Sequence, residues 1–332
     1  MQQVTLGQSG KKVPAIGFGL MGLTWRPKTV SREEAIQVMR YAYEQGALFF
    51  NGGEFYGVPP NVNANLDLIN AFFEQYPDAK DNVFLSIKGG LGPGLVPDGS
   101  PENVRRCVNN VLEHLKGSGK KLDLFECARV DKNVPIEVTI GELAKCVQEG
   151  LIGHIGLSEV SANSIRKAHA VHPISAVEVE FSLWSRDILF NGVYDTCREL
   201  GIPIVAYSPL GRGVLTGQIR SAESLPEGDM RHHFDRFKEE NLRHNLQLVE
   251  KLGAIAKTKG CTLPQLALTW VLSHEGVMVI PGATKVERIQ ENMQAASVHL
   301  SSQELAEIKS LLDAFEVKGG RYNAHAEAHL DG

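Results

Sequence analysis

The stretch Val83-Phe84-Leu85-Ser86-Ile87-Lys88 is a short apolar run with the length and composition typical of a buried strand. A helix signal follows, beginning at Ser100-Pro101 and ending near Leu115, and a second apolar run covers Leu122 to Cys127. Two strands joined by a helix favour parallel pairing, since parallel neighbours need a crossover connection. We therefore predict a strand–helix–strand unit over these residues.

The same alternation continues in both directions along the chain. Further strands are predicted at Val13 to Gly19, Leu48 to Asn51, His154 to Ser158, Ala176 to Glu180, Pro203 to Tyr207 and Val277 to Ile280. Further helices are predicted from Ser31 to Gly46 and Asn65 to Gln75, from starts near Ile136, Ser161 and Phe190, and over Glu239 to Lys259, Pro264 to Ser273, Val286 to Gln294 and Ser302 to Phe315. Eight short apolar strands alternating with helices favour a parallel sheet, closed or open.

The chain is predicted to form a single domain over residues 1–332, with a polar tail from about Glu316, because no Pro/Gly/Ser-rich linker divides it. Its 332 residues suit a large barrel, for which roughly 250 residues plus insertions are typical. The last predicted helices would then be additions at the C-terminal end.

The bulk composition excludes several classes of protein. A formal net charge of -5 argues against general nucleic-acid binding, which relies on a broad basic surface. No stretch approaches the ~18 apolar residues of a membrane span, so we expect a cytoplasmic protein, with a nuclear fraction left open. The five cysteines lack CxxC spacing and are expected to be reduced thiols: Cys107, Cys127, Cys146, Cys197 and Cys261. The histidines show no paired metal spacing, so no metal site is predicted.

One glycine motif is misleading. Residues 17–22 read Gly-Phe-Gly-Leu-Met-Gly, which fits the dinucleotide-binding pattern G-x-G-x-x-G after a strand. That pattern needs a helix to begin at the glycines, whereas here Thr24-Trp25-Arg26-Pro27 follows and the helix waits until Ser31. We expect a tight turn beside a ligand pocket, with Gly22 at that pocket.

Two strand ends carry residues whose chemistry fits together. Strand two runs into Asn51-Gly52-Gly53-Glu54-Phe55-Tyr56-Gly57, and strand three ends in Lys88. A nearby ammonium favours the phenolate of a tyrosine and brings this general acid closer to working pH. Each residue alone has an ordinary explanation, because a tyrosine beside glycine usually packs and a strand-end lysine usually reaches solvent.

Several motifs in one order along the chain resemble the aldo-keto reductase superfamily. Tyr56-Gly57 is similar to its proton-donor motif, Lys88 to its lysine, Ile155-Gly156-Leu157-Ser158 to its strand-five cofactor motif, and Arg288 with Glu291-Asn292 to its adenosine-end motif. The resemblance implies a single (β/α)8 TIM barrel that reduces carbonyl groups with a nicotinamide cofactor held in extended form. It also implies Tyr56 as the catalytic proton donor.

The sequence departs from the family pattern at four positions. Asn51 stands where the family has Asp, Ala128 where it has His, Glu159 where it has Asn, and Glu178 where it has Gln. The catalytic set is therefore expected to comprise Tyr56 and Lys88, with Asn51 at the former acid position. Losing one donor to a developing oxyanion typically costs ~3 kcal/mol, so catalysis need not be lost. The neutral Asn51 is expected to remove an anion that competes for Lys88.

Within the superfamily the chain resembles the pyridoxal reductase branch, through residues 51–57 and 122–131. This resemblance implies reduction of pyridoxal to pyridoxine with NADPH. A small Ala128 would leave room for a pyridine ring, and Arg129 would either bind its polar groups or pair structurally with Asp131 or Glu126. The full set of expected substrate residues is Trp25, Glu54, Phe55, Ala128, Arg129 and Trp184.

The resemblance also implies how NADPH would be held. Tyr207 would stack on the nicotinamide, although core packing is the ordinary alternative, and Arg212 would serve as a charge partner for the pyrophosphate. Lys285 and Arg288 at a helix start suit a phosphate monoester and favour NADPH over NADH, unless they form only a solvated helical face. The remaining expected cofactor residues are Gly22, Ser158, Glu159, Glu178, Ser208, Leu210, Gly211, Gly282, Thr284, Glu291 and Asn292.

Two other functions remain open at this point. One is a reductase of other aldehydes or ketones, and the other is a cofactor-binding regulatory protein with weak activity, which the incomplete catalytic set would explain. The expected partner is a small aldehyde, with no nucleic acid and no membrane.

Overall fold

The computed structural model describes residues 2–323 and 330, and shows a small antiparallel hairpin followed by one eight-stranded parallel sheet. The hairpin pairs β1 (Gln3–Thr5) with β2 (Lys12–Pro14). The sheet contains β3 (Phe18–Gly19), β4 (Phe49–Gly53), β5 (Phe84–Gly89), β6 (Leu124–Cys127), β7 (His154–Ser158), β8 (Ile174–Glu180), β9 (Ile204–Tyr207) and β10 (Val277–Val279). Each strand pairs with the next in the chain, and the bridges Ile16–Val279 and Gly19–Gly282 join the two edges. The predicted (β/α)8 barrel is confirmed.

Helices connect the strands on the outside of the barrel. They are α1 (Met21–Thr24), α2 (Arg32–Glu44), α3 (Ala64–Gln75), α4 (Pro77–Lys80), α5 (Pro101–Leu115), α6 (Ile136–Gln148), α7 (Ala162–Val171), α8 (Val193–Leu200), α9 (Glu239–Lys259), α10 (Leu263–Leu272), α11 (Val286–Gln294) and α12 (Ser302–Asp313). The predicted capping box is present at the start of α2, where Ser31 and Glu34 bond each other's backbone. Among the described residues, no helix has the length and apolar character needed to cross a membrane.

The prediction of one strand over Val13 to Gly19 was wrong. Pro14 ends the hairpin strand, and the chain then enters the barrel, where Gly17 donates a hydrogen bond to the Val279 carbonyl before β3 begins. Three short elements were also missed: the strand β1 and the single helical turns α1 and α4. The turn α1 begins at Met21, within the glycine motif, where no helix was expected before Ser31. The helix expected near Phe190 begins three residues later, after Gly192 in the left-handed region with φ 85°.

The inside of the barrel is apolar at one end and polar at the other. At the end where the strands begin, Phe49, Phe84 and Leu124 pack with Leu6 of the hairpin in one buried cluster. Side chains alternate along a strand, so the next inward positions are two residues later. These positions are polar: Asn51, Ser86, Glu126 and Glu178. The strand pattern therefore places a polar layer directly beneath the C-terminal mouth of the barrel.

Candidate active site

Tyr56 lies over the end of β4 because Gly53 leaves room for its ring and Gly57 leaves room for the loop that follows. A Cβ atom on Gly53 would lie 2.8 Å from Cγ of Tyr56, and one on Gly57 would lie 2.1 Å from the Asn61 carbonyl oxygen. Trp25 covers the tyrosine from the other side, with ring centroids 5.4 Å apart and planes at 28°. The sequence between Asn51 and Gly57 thus fixes where the phenol stands.

Lys88 is bound by two of the four residues at which the sequence departs from the family pattern, Asn51 and Glu178. Its Nζ donates to Oδ1 of Asn51 at 2.7 Å and to the two carboxylate oxygens of Glu178 at 2.6 and 2.8 Å. Asn51 in turn donates from Nδ2 to Glu178 at 2.7 Å. The expectation that Asn51 frees Lys88 from an anion was therefore wrong, because Glu178 supplies that anion. Glu178, assigned from sequence to the cofactor, belongs to this cluster.

The Tyr56 hydroxyl is kept protonated by its surroundings. Burial raises its pKa to about 12, while the charge of Lys88 and a hydrogen bond from it act in the opposite direction. Lys88 Nζ lies 5.4 Å from the Tyr56 ring centroid. Burial alone would lower the pKa of Lys88, but Glu178 and Tyr56 raise it above its usual value, so the lysine is a cation. The pair is set up as a general acid with a positive charge beside it.

One further residue holds the site together and was not identified from the sequence. Asn65 of α3 is fully buried; its Oδ1 accepts from the Gly53 N–H at 3.1 Å, and its Nδ2 donates to Thr24 Oγ1 at 2.9 Å. Thr24 itself donates to the Tyr56 carbonyl oxygen at 2.7 Å. Asn65 therefore ties the end of β4 to the loop that carries Trp25. An asparagine among apolar helix positions was the only sign of it in the sequence.

Four of the six expected substrate residues surround this mouth. Phe55 packs edge-on against Tyr56 and Trp25. Ala128 is buried at the end of β6, and its N–H donates to the Gly89 carbonyl oxygen. The Arg129 guanidinium donates to the Ala128 carbonyl oxygen at 2.5 Å and lies 5.9 Å from the Tyr322 ring centroid. Burial lowers its pKa, whereas Tyr207, Tyr322 and Glu159 raise it above its usual value overall. This position favours the site over a structural pair with Asp131 or Glu126.

The other two expected substrate residues lie elsewhere. The Glu54 carboxylate is buried and accepts hydrogen bonds from Arg106 and Asn110, both on the outer helix α5. Trp184 stacks with Phe237 at 6.1 Å and packs beneath Gly211, within the apolar core. A sequence pattern cannot tell which side of a strand end a loop residue takes, and both expectations are corrected here.

The loop after β9 has an unusual backbone. Ser208, Gly211, Arg212 and Gly213 all have positive φ values, at 48°, 56°, 54° and 97°. Such a run makes a tight turn, in which the N–H groups of Gly211 and Gly213 donate to the carbonyl oxygens of Ser208 and Leu210 at 2.9 and 3.0 Å. Leu210 begins this turn.

Arg212 is held at this loop between Glu180, at 3.2 Å, and two aromatic rings, Phe234 and Tyr322. Its buried Nε has no hydrogen-bond partner among the described residues. The loop thus places a buried cation beside a tight turn, and the role of Arg212 as a charge partner for the pyrophosphate stays a prediction.

The polar C-terminal segment, residues 316–322, folds back over this mouth. Asn245 of α9 bonds the Lys318 backbone in both directions, at 2.8 and 2.9 Å. Arg321 pairs with Glu159, the residue that directly follows the end of β7 at Ser158. The Tyr322 hydroxyl lies 2.8 Å from that of Tyr207. Two expected cofactor residues, Glu159 and Tyr207, therefore contact a segment that the sequence analysis treated only as a tail.

Most of the remaining expected cofactor residues lie in the loop after β10 or in α11. Gly282 pairs with Gly19 across the barrel closure, and Thr284 follows before the helix. Lys285 is the N-cap of α11 and is exposed; Arg288 is exposed too and pairs with Glu291 at 2.7 Å. Asn292 of α11 is buried. Gly22 lies in α1, and a Cβ atom there would have no other atom within 4 Å.

Comparisons with known proteins agree with this geometry. The sequence profile of the aldo/keto reductase family matches residues 15–313. A "Probable pyridoxal reductase 2" of Schizosaccharomyces pombe is 45% identical over 329 residues, covering 97% of this chain and 98% of the relative. A "Probable aldo-keto reductase 1" of Glycine max is 42% identical over 328 residues, covering 97% of this chain and 92% of the relative.

Solved structures show the same fold. A thermostable aldo-keto reductase in complex with the inhibitor epalrestat superimposes with a TM-score of 0.74 at 25% identity, covering 94% of this chain and 100% of that one. A glycerol dehydrogenase from Gluconobacter oxydans gives a TM-score of 0.85 at 19% identity, covering 95% and 96%. With its barrel, its Tyr56–Lys88 pair and a family match over most of its length, the chain belongs to the aldo/keto reductase family.

Proposed function

We propose that this reductase converts pyridoxal to pyridoxine and uses NADPH as its reductant. One observation carries the proposal: the protonated Tyr56 hydroxyl stands beside the Lys88 cation, at a mouth lined by the small Ala128 and the inward-facing Arg129. The printed name of the fungal relative supports the choice of pyridoxal among aldehydes.

The residues present fit an extended dinucleotide. The unpartnered Nε of Arg212 offers a charged donor for a pyrophosphate, and the glycines of the turn after β9 let a ligand approach the backbone closely. The exposed Lys285 and Arg288 at the start of α11 offer charge for a phosphate monoester, which is the group that distinguishes NADPH from NADH. The open side of Gly22 leaves room for a chain of ligand atoms to pass close to the backbone.

When bound, NADPH supplies the hydride that reaches the aldehyde carbon. Tyr56 donates its hydroxyl proton to the aldehyde oxygen, and Lys88 stabilises the phenolate that remains. Trp25 and Phe55 hold the tyrosine ring in place and exclude water from it. Arg129 would bind an acidic or hydrogen-bond-accepting group on the pyridine ring, with Ala128 leaving the space beside it.

The test is an NADPH oxidation assay with purified protein and pyridoxal. We expect turnover, and we expect Tyr56→Phe to lower kcat by at least about a hundredfold, because general acid catalysis contributes typically 10²–10⁴-fold. Tyr194→Phe, on the outer helix α8, is the matched control and should leave kcat unchanged. Undiminished turnover by Tyr56→Phe would remove Tyr56 from the mechanism, and higher kcat/KM for simple aromatic aldehydes would make the chain a general reductase.

The choice of NADPH has its own test. Removing the charge of Lys285 and Arg288 by a double substitution to Ala should raise KM for NADPH by roughly tenfold or more, as charge-assisted contacts contribute about 1.5–3 kcal/mol each when desolvated and less when exposed. KM for NADH should hardly change. Equal effects on both cofactors would show that these residues do not contact the distinguishing phosphate.

A further inference from the structure

Glu126 is an acidic residue in the middle of the barrel that the proposed function does not use. It is on the inward face of β6, above Leu124 and below Ala128, and its exposed fraction is 0%. Ser86 Oγ contacts its Oε1, while its buried Oε2 has no hydrogen-bond partner among the described residues. A buried carboxylate with one oxygen unsatisfied is costly, so this side chain needs a physical explanation.

The barrel makes room for this side chain. Gly156 of β7 is directly opposite Glu126 in the strand register, and a Cβ atom on Gly156 would lie 2.6 Å from Glu126 Cγ. Any larger residue at position 156 would push the carboxyl group out of its place. The glycine of the strand-five motif therefore serves the acid on the neighbouring strand.

The charges around Glu126 do not balance if every group is ionised. The groups that face it are Ser86 and Lys88 on β5 and Glu178 on β8, while the thiol of its chain neighbour Cys127 lies on the opposite face of β6. Lys88 is the only cation among them, and both oxygens of Glu178 already bind it. Two ionised carboxyl groups would then leave a net negative charge in a space closed to water.

We propose that Glu126 holds a proton in the resting protein and donates it from Oε2 toward Glu178. One proton shared by this carboxylic acid–carboxylate pair satisfies the orphaned oxygen and leaves Glu178 with a single negative charge for Lys88. The proton stays bound to Glu126, and no other covalent bond is made or broken. Glu126 and Glu178 then act as positioning residues that keep Lys88 a cation next to Tyr56.

Electrostatics supports the same assignment. Burial and the charge of Glu178 raise the pKa of Glu126 well above its usual value, more than Lys88 lowers it. Like-charged carboxyl groups that share a site cannot both ionise easily, which is why such pairs retain one proton. The presence of the proton does not depend on the proposed function, whereas the pair's effect on Tyr56 rests on it.

Infrared spectroscopy of the protein without added cofactor tests for the proton directly. Near neutral pH we expect the carbonyl stretch of a protonated carboxylic acid, shifted in heavy water and absent from Glu126→Gln. Glu113→Gln, at an exposed position on α5, is the control and should keep the band. A difference spectrum between wild type and Glu126→Gln without this band would overturn the proposal, whatever the substrate proves to be.

The pH dependence of unfolding gives a second, independent measurement. Between about pH 5 and pH 7 the folded chain would carry a proton that the unfolded chain has lost, so the wild type should lose stability relative to Glu126→Gln as the pH rises. The ratio of their unfolding constants should change by about tenfold per pH unit. Parallel pH profiles would contradict the bound proton.

The effect on Lys88 is tested with a pair of variants. In Glu178→Gln, Glu126 should ionise and replace the lost anion, so the acid band should vanish there as well. Glu126→Gln combined with Glu178→Gln leaves Lys88 with no carboxylate, and kcat should fall by more than the product of the two single losses. Independent losses would overturn the role toward Lys88, and pyridoxal turnover missing already in the wild type would instead indicate a wrong substrate.

Discussion

At the scale of single residues, two departures from the family pattern compensate each other. The amide of Asn51 donates to the carboxylate of Glu178, and both bind Lys88, so one acid and one amide have exchanged places across the barrel. The charge next to Lys88 is thereby conserved although its position has moved. The two departures could not be linked from the sequence, because it gives no sign that the inward side chains of β4 and β8 meet.

This exchange predicts the outcome of reversing it. Asn51→Asp alone would put a second carboxylate 2.7 Å from Glu178, and we expect it to lower the free energy of unfolding by about 1–3 kcal/mol, the usual cost of an unsatisfied buried polar group. Adding Glu178→Gln should recover most of the loss. Denaturant unfolding of the single and double variants measures this coupling, and strictly additive losses would refute the exchange.

The surroundings of Tyr56 predict the pH dependence of reduction. A general acid works in its protonated form, which is present below its pKa, and burial raises the pKa of Tyr56 to about 12. The kcat/KM for pyridoxal should therefore be independent of Tyr56 ionisation through neutral pH and decline only in strongly alkaline solution. A steady fall between about pH 6 and pH 8 would require another titrating acid.

At the level of strands and helices, the pattern was largely predictable, whereas three short elements and the C-terminal segment were not. The periodicity of long elements such as α9 is set by their own residues, and that is the information a sequence displays. The position of Arg321 depends on a buried partner in a distant strand end, Glu159, which no local pattern reveals. The same reason explains the wrong placements of Glu54 and Trp184, whose partners lie on other elements.

The contact between Arg321 and Glu159 predicts how the C-terminal segment is anchored. Burial by itself raises the pKa of Glu159, but Arg321 and Arg129 lower it below its usual value overall. Arg321→Ala should lower the free energy of unfolding by about 2 kcal/mol near pH 7, less than for an isolated buried pair because Arg129 remains. Because the pKa of Glu159 is lowered in the folded protein, the ion pair stabilises the fold at pH values above the ordinary glutamate pKa and loses this effect as the pH falls. The difference in unfolding free energy between wild type and Arg321→Ala should therefore shrink in acid.

The control for this prediction is the same arginine-to-alanine substitution at a surface ion pair. Arg243 is mostly exposed and pairs with Glu239, so Arg243→Ala should change stability by less than about 1 kcal/mol. If Arg321→Ala were no more destabilising than that control, or if its effect grew in acid, the segment would have to be held by its other contacts with α9.

At the scale of the whole molecule, the two ends of the barrel have separate tasks. The candidate site occupies the mouth where the strands end, while the hairpin covers the opposite end with an apolar cluster. Residues at the closed end should then affect stability and leave chemistry alone. The polar layer, which contains Asn51, Ser86, Glu126 and Glu178, lies between the apolar cluster and the candidate site.

Leu6 tests this separation because it is fully buried beneath the barrel and far along the strands from Tyr56. Leu6→Ala should lower the free energy of unfolding by about 2–5 kcal/mol through the lost burial and the cavity left behind. The kcat/KM of the folded protein should stay at the wild-type value, measured well below the melting temperature. Val171→Ala, at an exposed position ending α7, should change neither quantity. A drop in kcat/KM with Leu6→Ala would mean that packing at the closed end is transmitted through the polar layer to Lys88.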